Sequence, residues 1–173
     1  MLRIVVLATL LSLTALPALA QTASPAKPAC DTPESHQFDF WVGKWEVFPK
    51  AHPDKKVANS LIEKLYDGCA VRENWMPLRG PGGGSLNAFL PAAGVWRQTW
   101  LDTGGFADFK GGFNGKAMVI TGLWPQPGHP DQLTRMSYTP RPDGSVEQAG
   151  ESSDDGGKTW QPSFDLIYRK AAA

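Results

Sequence analysis

Apolar and polar residues along most of this chain alternate with a period of two, in runs of four to ten residues separated by Gly, Pro, Asn and Asp clusters. Residues 69–76 show it clearly: Val71, Glu73 and Trp75 fall on one side, and Arg72, Asn74 and Met76 on the other. Such alternation is the mark of a strand with one face turned to a core. The same reading gives strands over 45–48, 57–65 (where a helix also fits), 69–76, 85–90, 95–102, 106–112, 116–124, 132–139, 145–152 and 159–169. Turn chemistry separates them: Gly80-Pro81-Gly82-Gly83-Gly84, Pro91-Ala92-Ala93-Gly94, Thr103-Gly104-Gly105, Asn114-Gly115, a loop over 125–130, Arg141-Pro142-Asp143-Gly144 and Asp154-Asp155-Gly156-Gly157. Many short strands joined by hairpins predict an all-β fold, a single antiparallel up-and-down β-barrel of about 8–10 strands, rather than a Greek-key sandwich.

Ahead of the first strand, Thr32-Pro33-Glu34 reads as N-cap, N1 proline and first-turn acid, so a short N-terminal helix leads into it. Gly43 and Trp45 then form a Gly-x-Trp: glycine lets another backbone approach closely, and the indole closes the bottom of the barrel. At the other end of the chain, Ser153 to Trp160 fits the Asp-box pattern Ser-x-Asp-x-Gly-x-Thr-Trp, in which Asp155 caps backbone N–H groups and Trp160 packs beneath the turn. One copy in a chain this short carries no implication of glycosidase activity.

Composition narrows the setting. Residues 1–20 combine Arg3, an apolar run from Ile4 to Leu16 and the small-residue site Ala18-Leu19-Ala20, a Sec signal peptide with cleavage after Ala20 and a periplasmic or secreted destination. No lipobox cysteine follows, and no other apolar run is long enough to span a bilayer, so no membrane insertion is expected once the signal is removed. Residues 21–31 read as a flexible mature N-terminus, and residues 32–170 as the barrel domain. The 17 basic and 17 acidic residues leave no cationic excess to drive nucleic-acid binding. Cys30 and Cys69 are the only cysteines in a chain bound for an oxidising compartment, which makes a disulfide the expected pairing.

The order Phe-Asp-Phe-Trp-Val-Gly-Lys-Trp at 38–45, Gly68-Cys69 with Glu73-Asn74-Trp75, Ser85-Leu86-Asn87, Trp96-Arg97-Gln98-Thr99-Trp100, the stretch 118–122 and the Asp box resembles a family of small secreted bacterial proteins. That family is a lipocalin-like (calycin-type) domain of unknown function. The resemblance runs from about His36 to Lys170 and implies the barrel, but no chemistry. It also implies that a basic residue of the last strand stacks on the Trp45 indole, with Arg169 in that place and Lys170 as the substitute if the register is shifted by one.

Candidate chemistry lies where polar and aromatic residues share a strand face: Glu73 with Trp75, Asn87 with Phe89, and Gln98 with Trp96 and Trp100. Turned inward, these would line a cavity with a carboxylate, two amides and indole walls, the composition of a small-molecule site. A satisfied interior hydrogen-bond network and an outward-facing surface are the alternatives. His36, His52 and His129 have no ligand spacing, none lies in a predicted strand, and the glycine-rich turn lacks a phosphate-binding lysine; no metal, haem or other cofactor is expected. Binding of a small, partly apolar or amphipathic molecule is the first reading. An enzyme on the same barrel, an isomerase, lyase or hydrolase with Glu73 as general base, is the second, and a filled barrel acting as an interaction module the third. A cavity of about 300 Å³ or more separates the first two from the last.

Overall fold

A computed structural model of the chain describes residues 30–126 and 128–172. The expected signal peptide and most of the expected flexible N-terminus lie outside the described residues. Ten strands follow in order: β1 (Gly43–Pro49), β2 (Ala58–Leu65), β3 (Ala70–Pro77), β4 (Gly83–Leu90), β5 (Val95–Asp102), β6 (Gly105–Phe113), β7 (Met118–Trp124), β8 (Gln132–Pro140), β9 (Val146–Ser153) and β10 (Gln161–Lys170). Each pairs antiparallel with the next, and β1 pairs with β10, so the sheet closes into an up-and-down barrel. The ambiguous second segment is a strand, because its alternating Ala58, Ser60 and Ile62 supply the inner face between β1 and β3. Closure leaves no unpaired edge, which removes the usual route to edge-to-edge association.

The two ends of the barrel differ. At the end where β1 starts, the chain before it makes two successive 3₁₀ turns, Glu34–His36 and Asp39–Trp41, rather than a continuous α-helix. Thr32 and Ser35 cap the first turn reciprocally: the Ser35 N–H donates to Thr32 Oγ1 at 3.3 Å and the Thr32 N–H donates to Ser35 Oγ at 3.0 Å. The turns push Phe38 and Trp41 into the barrel, where Phe38 stacks on Trp41 at 4.9 Å and meets Trp96 and Tyr138 edge-on. Trp45 ties this plug to the sheet by donating its indole N–H to the Trp41 carbonyl at 2.8 Å. The floor therefore rests on Phe38, Trp41, Trp45 and Trp96 together, all buried. A Cys30–Cys69 disulfide fastens the plug to the turn that precedes β3.

The register corrects the cation–π pair. Trp45 lies opposite Lys170, while Arg169 lies opposite Glu46 on the outer face. Lys170 Nζ accordingly stands 3.9 Å over the Trp45 ring and donates to the Val42 carbonyl at 2.8 Å, and Arg169 stacks on Phe48 instead. Gly43, at φ +146°, serves this lysine rather than a passing backbone, since a Cβ there would stand 2.5 Å from Lys170 Nζ. At the opposite end the Asp box forms as its pattern predicts. Asp155 Oδ1 accepts from the backbone N–H groups of Lys158 and Thr159, both at 2.9 Å, and the Trp160 indole donates to the Gly157 carbonyl while Arg135 covers its ring.

Candidate functional site

Above the aromatic plug the barrel is not filled. A cavity of about 250 Å³ lies among Glu73, Trp75, Gln98, Trp100, Trp124, Met136, Tyr138, Gln148, Phe164, Leu166 and Tyr168. Its volume is a little below the roughly 300 Å³ at which ligand pockets begin, so any occupant is small. The interior lies between the two expectations: it is not completely filled, as the interaction-module reading has it, and it falls short of the roughly 300 Å³ that favours binding or catalysis.

Strand alternation builds the cavity in two tiers. Trp75, Trp100, Trp124 and Phe164 are at the ends of β3, β5, β7 and β10 remote from the plug, so they wall the mouth. Trp100 and Trp124 face each other with ring centroids 6.2 Å apart, and the Trp100 indole N–H is held by Asp102 Oδ2 at 2.9 Å. Phe164 reaches inward because β9 presents Gly150 opposite it; a Cβ at Gly150 would run into the Phe164 ring. One tier deeper, Glu73, Gln98, Tyr138, Gln148 and Tyr168 form the polar floor, all of them buried.

The floor is one connected hydrogen-bond circuit. Ser60 Oγ donates to Glu73 Oε1 at 3.0 Å, and Ser85 Oγ donates to Glu73 Oε2 at 3.4 Å. Asn87 Nδ2 donates to Ser85 Oγ and to the Val71 carbonyl, and its Oδ1 accepts from Gln98 Nε2 at 2.7 Å. Gln98 and Gln148 both donate to Tyr138 Oη, at 3.2 and 3.1 Å. Tyr168 Oη lies 2.7 Å from Gln148 Oε1 and 3.3 Å from Glu73 Oε1, which closes the circuit. A phenol has one proton, and the shorter contact assigns it to Gln148. The contact between Tyr168 and Glu73 is then best made by a proton on the carboxyl.

Electrostatics agree with that assignment. Burial raises the Glu73 carboxyl from its ordinary 4.5 to about 7, against the hydrogen bonds from Ser60 and Ser85, which favour the anion. Burial also raises both tyrosines, so neither phenol ionises near neutral pH. Among the described residues, no lysine, arginine or histidine lines the cavity.

Of the residues singled out from the sequence, Glu73, Trp75, Gln98 and Trp100 line the cavity. Asn87 is behind them as the bridge between Ser85 and Gln98, and Trp96 belongs to the plug, where its indole donates to Gln37 Oε1 at 3.1 Å. The sequence reading missed the far wall: Trp124, Met136, Tyr138, Gln148, Phe164, Leu166 and Tyr168. Their alternation along β7, β8, β9 and β10 was a usable signal once the inward face was chosen. No cluster of His, Cys, Asp and Glu suited to a metal ion occurs among the described residues. No helix among them is long and apolar enough to cross a membrane. Compared with protein-family models and with curated proteins, the chain matches none.

Proposed function

We propose that this protein is an exported, lipocalin-like binding protein that holds a small, partly apolar molecule in the barrel cavity. The observation that carries the reading is the two-tier cavity itself, with indole walls at the mouth and hydrogen-bonding groups on a buried floor. Several polar groups retained in a small barrel cost free energy unless satisfied, at roughly 1–3 kcal/mol for each one left unpaired. Here most of them satisfy one another around an unfilled space, and the acceptor capacity left over faces the cavity, where a ligand can use it. Export rests on the sequence of residues 1–20, and the disulfide fits an oxidising compartment. The closed antiparallel up-and-down barrel is consistent with a lipocalin-like fold, which is compatible with the same assignment.

2-Naphthol, a small neutral fluorophore, tests the reading. Its binding should quench tryptophan fluorescence, and Trp100→Ala should weaken binding far more than Trp160→Ala, because Trp160 belongs to the Asp box outside the cavity. Equal effects from the two substitutions would remove the site.

A second reading, catalysis with Glu73 as general base, is favoured by one observation: a buried carboxyl raised to about 7 is suited to proton transfer near neutral pH. Its signature would be a turnover rate rising with pH through about 7 and abolished by Glu73→Gln, with ligand affinity retained.

A further inference from the structure

We propose that the molecule held in this cavity is a small organic cation, a protonated amine whose ammonium group meets Glu73 while its apolar part lies between Trp75, Trp100 and Trp124. The inference rests on the cavity being a binding site and names the class of ligand.

Charge provides the first argument. Among the described residues, Glu73 is the only Asp, Glu, Lys, Arg or His lining the cavity. The groups that face it are neutral on every packed element: Ser60 on β2, Ser85 on β4, Tyr138 on β8, Gln148 on β9 and Tyr168 on β10. A carboxylate or phosphate ligand would meet a buried acid and no cation, which disfavours it strongly. An amine meets the reverse situation, an acid with no internal counterion.

Hydrogen-bond capacity supplies the second. Gln98 spends both N–H donors, on Asn87 Oδ1 and Tyr138 Oη, and its carbonyl oxygen is left without a protein donor among the described residues. Tyr168 directs its proton at Gln148, so an ionised Glu73 also has acceptor capacity to spare. The empty floor is thus short of donors. An ammonium group brings three donors and no acceptor.

The walls make the third argument. Ring faces attract a cation, most strongly those of tryptophan, and desolvation strengthens the attraction. Trp75 and Tyr168 lie 6.3 Å apart by ring centroids beside Glu73, and Trp100 and Trp124 close the opposite side. Burial keeps the Glu73 carboxyl protonated below about pH 7. An amine therefore binds best above that pH, where it meets the carboxylate without having to displace a proton.

A pair of probes that differ only in charge tests the proposal: 2-phenylethylamine and 2-phenylethanol, titrated against the full mature protein by calorimetry at pH 8 and pH 5.5, with 2-naphthol as a cavity control. At pH 8 the amine should bind at least tenfold more tightly than the alcohol. That advantage should shrink severalfold at pH 5.5 in the wild-type protein and disappear in Glu73→Gln at both values. The pH comparison on wild-type protein stands even where the variant does not fold. Equal affinities for amine and alcohol at pH 8, or tighter binding of 3-phenylpropionate than of either, would overturn the cation assignment while leaving the cavity a binding site. If 2-naphthol binds and neither phenylethyl probe does, the ligand class is wrong. If none of these probes binds, the binding reading itself fails, and this inference with it.

Discussion

Replacing Glu73 with Gln should change how stability depends on pH, and the size of the change follows from the structure. The wild-type carboxyl is raised from an ordinary 4.5 to about 7 because folding strips it of water. Below pH 4.5 it is protonated in both folded and unfolded chains and carries no penalty. Between pH 4.5 and 7 the unfolded chain ionises while the folded chain retains the proton, so stability falls as pH rises, and it levels off above about 7. At about 1.4 kcal/mol per pH unit, the loss is roughly 3 kcal/mol. Glutamine keeps the shape and does not titrate; with its Nε2 on the side of Ser60 and Tyr168 it donates to those hydroxyls, and its oxygen accepts from Ser85. Urea unfolding followed by tryptophan fluorescence from pH 4.5 to 8 measures both proteins. The variant should gain roughly 3 kcal/mol relative to wild type across that window, whatever its offset at pH 4.5. Asp108, Asp143 and Asp155 are held below their ordinary range by hydrogen bonds, and their titration falls below this window and is common to both proteins. Parallel profiles would mean that Glu73 is solvated in the folded protein and that the donor-poor floor described above does not exist.

Three further predictions concern the frame around the cavity. Thiol titration of denatured, unreduced protein should find no free cysteine, and Cys30→Ser should cost roughly 4 kcal/mol for a loop of 39 residues, because the plug loses its tether; two titratable thiols per chain would refute the pairing. Trp45→Ala and Lys170→Met should be non-additive by roughly 0.5–1 kcal/mol, whereas Trp45→Ala and Arg169→Ala should add, so coupling to Arg169 would contradict the closing register. Asp155→Asn should lower stability at pH 7 and match wild type near pH 2, since the Asp155 carboxyl is depressed from 3.8 to about 2 and its stabilisation is lost only as pH falls through that range; a gap unchanged at pH 2 would show that the Asp-box turn does not depend on the charge.

The period-two pattern made the barrel legible because every strand has one buried face, and a slip of one residue would turn Glu73, Gln98 and Trp100 to solvent. It also placed those residues together, since β3, β4 and β5 are consecutive hairpins whose pairing the turns dictate. The far wall was harder to see. Tyr138, Gln148 and Tyr168 reach Glu73 only through barrel closure, and a wall of one Met, one Leu and scattered aromatics reads locally as ordinary core. Lys170 is in phase with Phe164, Leu166 and Tyr168, but apolar Ile167 on the other face blurs that alternation, which made Arg169 the natural misreading. Trp41 belongs to a 3₁₀ turn, where period two has no meaning, so its part in the floor could not be read from spacing. The shift of Glu73 depends on burial from five strands at once, which the sequence does not display.

The central claim is that a ligand lodges in the upper cavity, and the seven tryptophans report on it by position. In an amide-correlation NMR spectrum with assigned indole N–H signals, 2-phenylethylamine added at pH 8 should shift the signals of Trp75, Trp100 and Trp124. Those of Trp41, Trp45 and Trp96 in the plug, and of Trp160 in the Asp box, should hold still. Shifts confined to Trp160 or the plug, or no shift at saturating probe, would contradict the account.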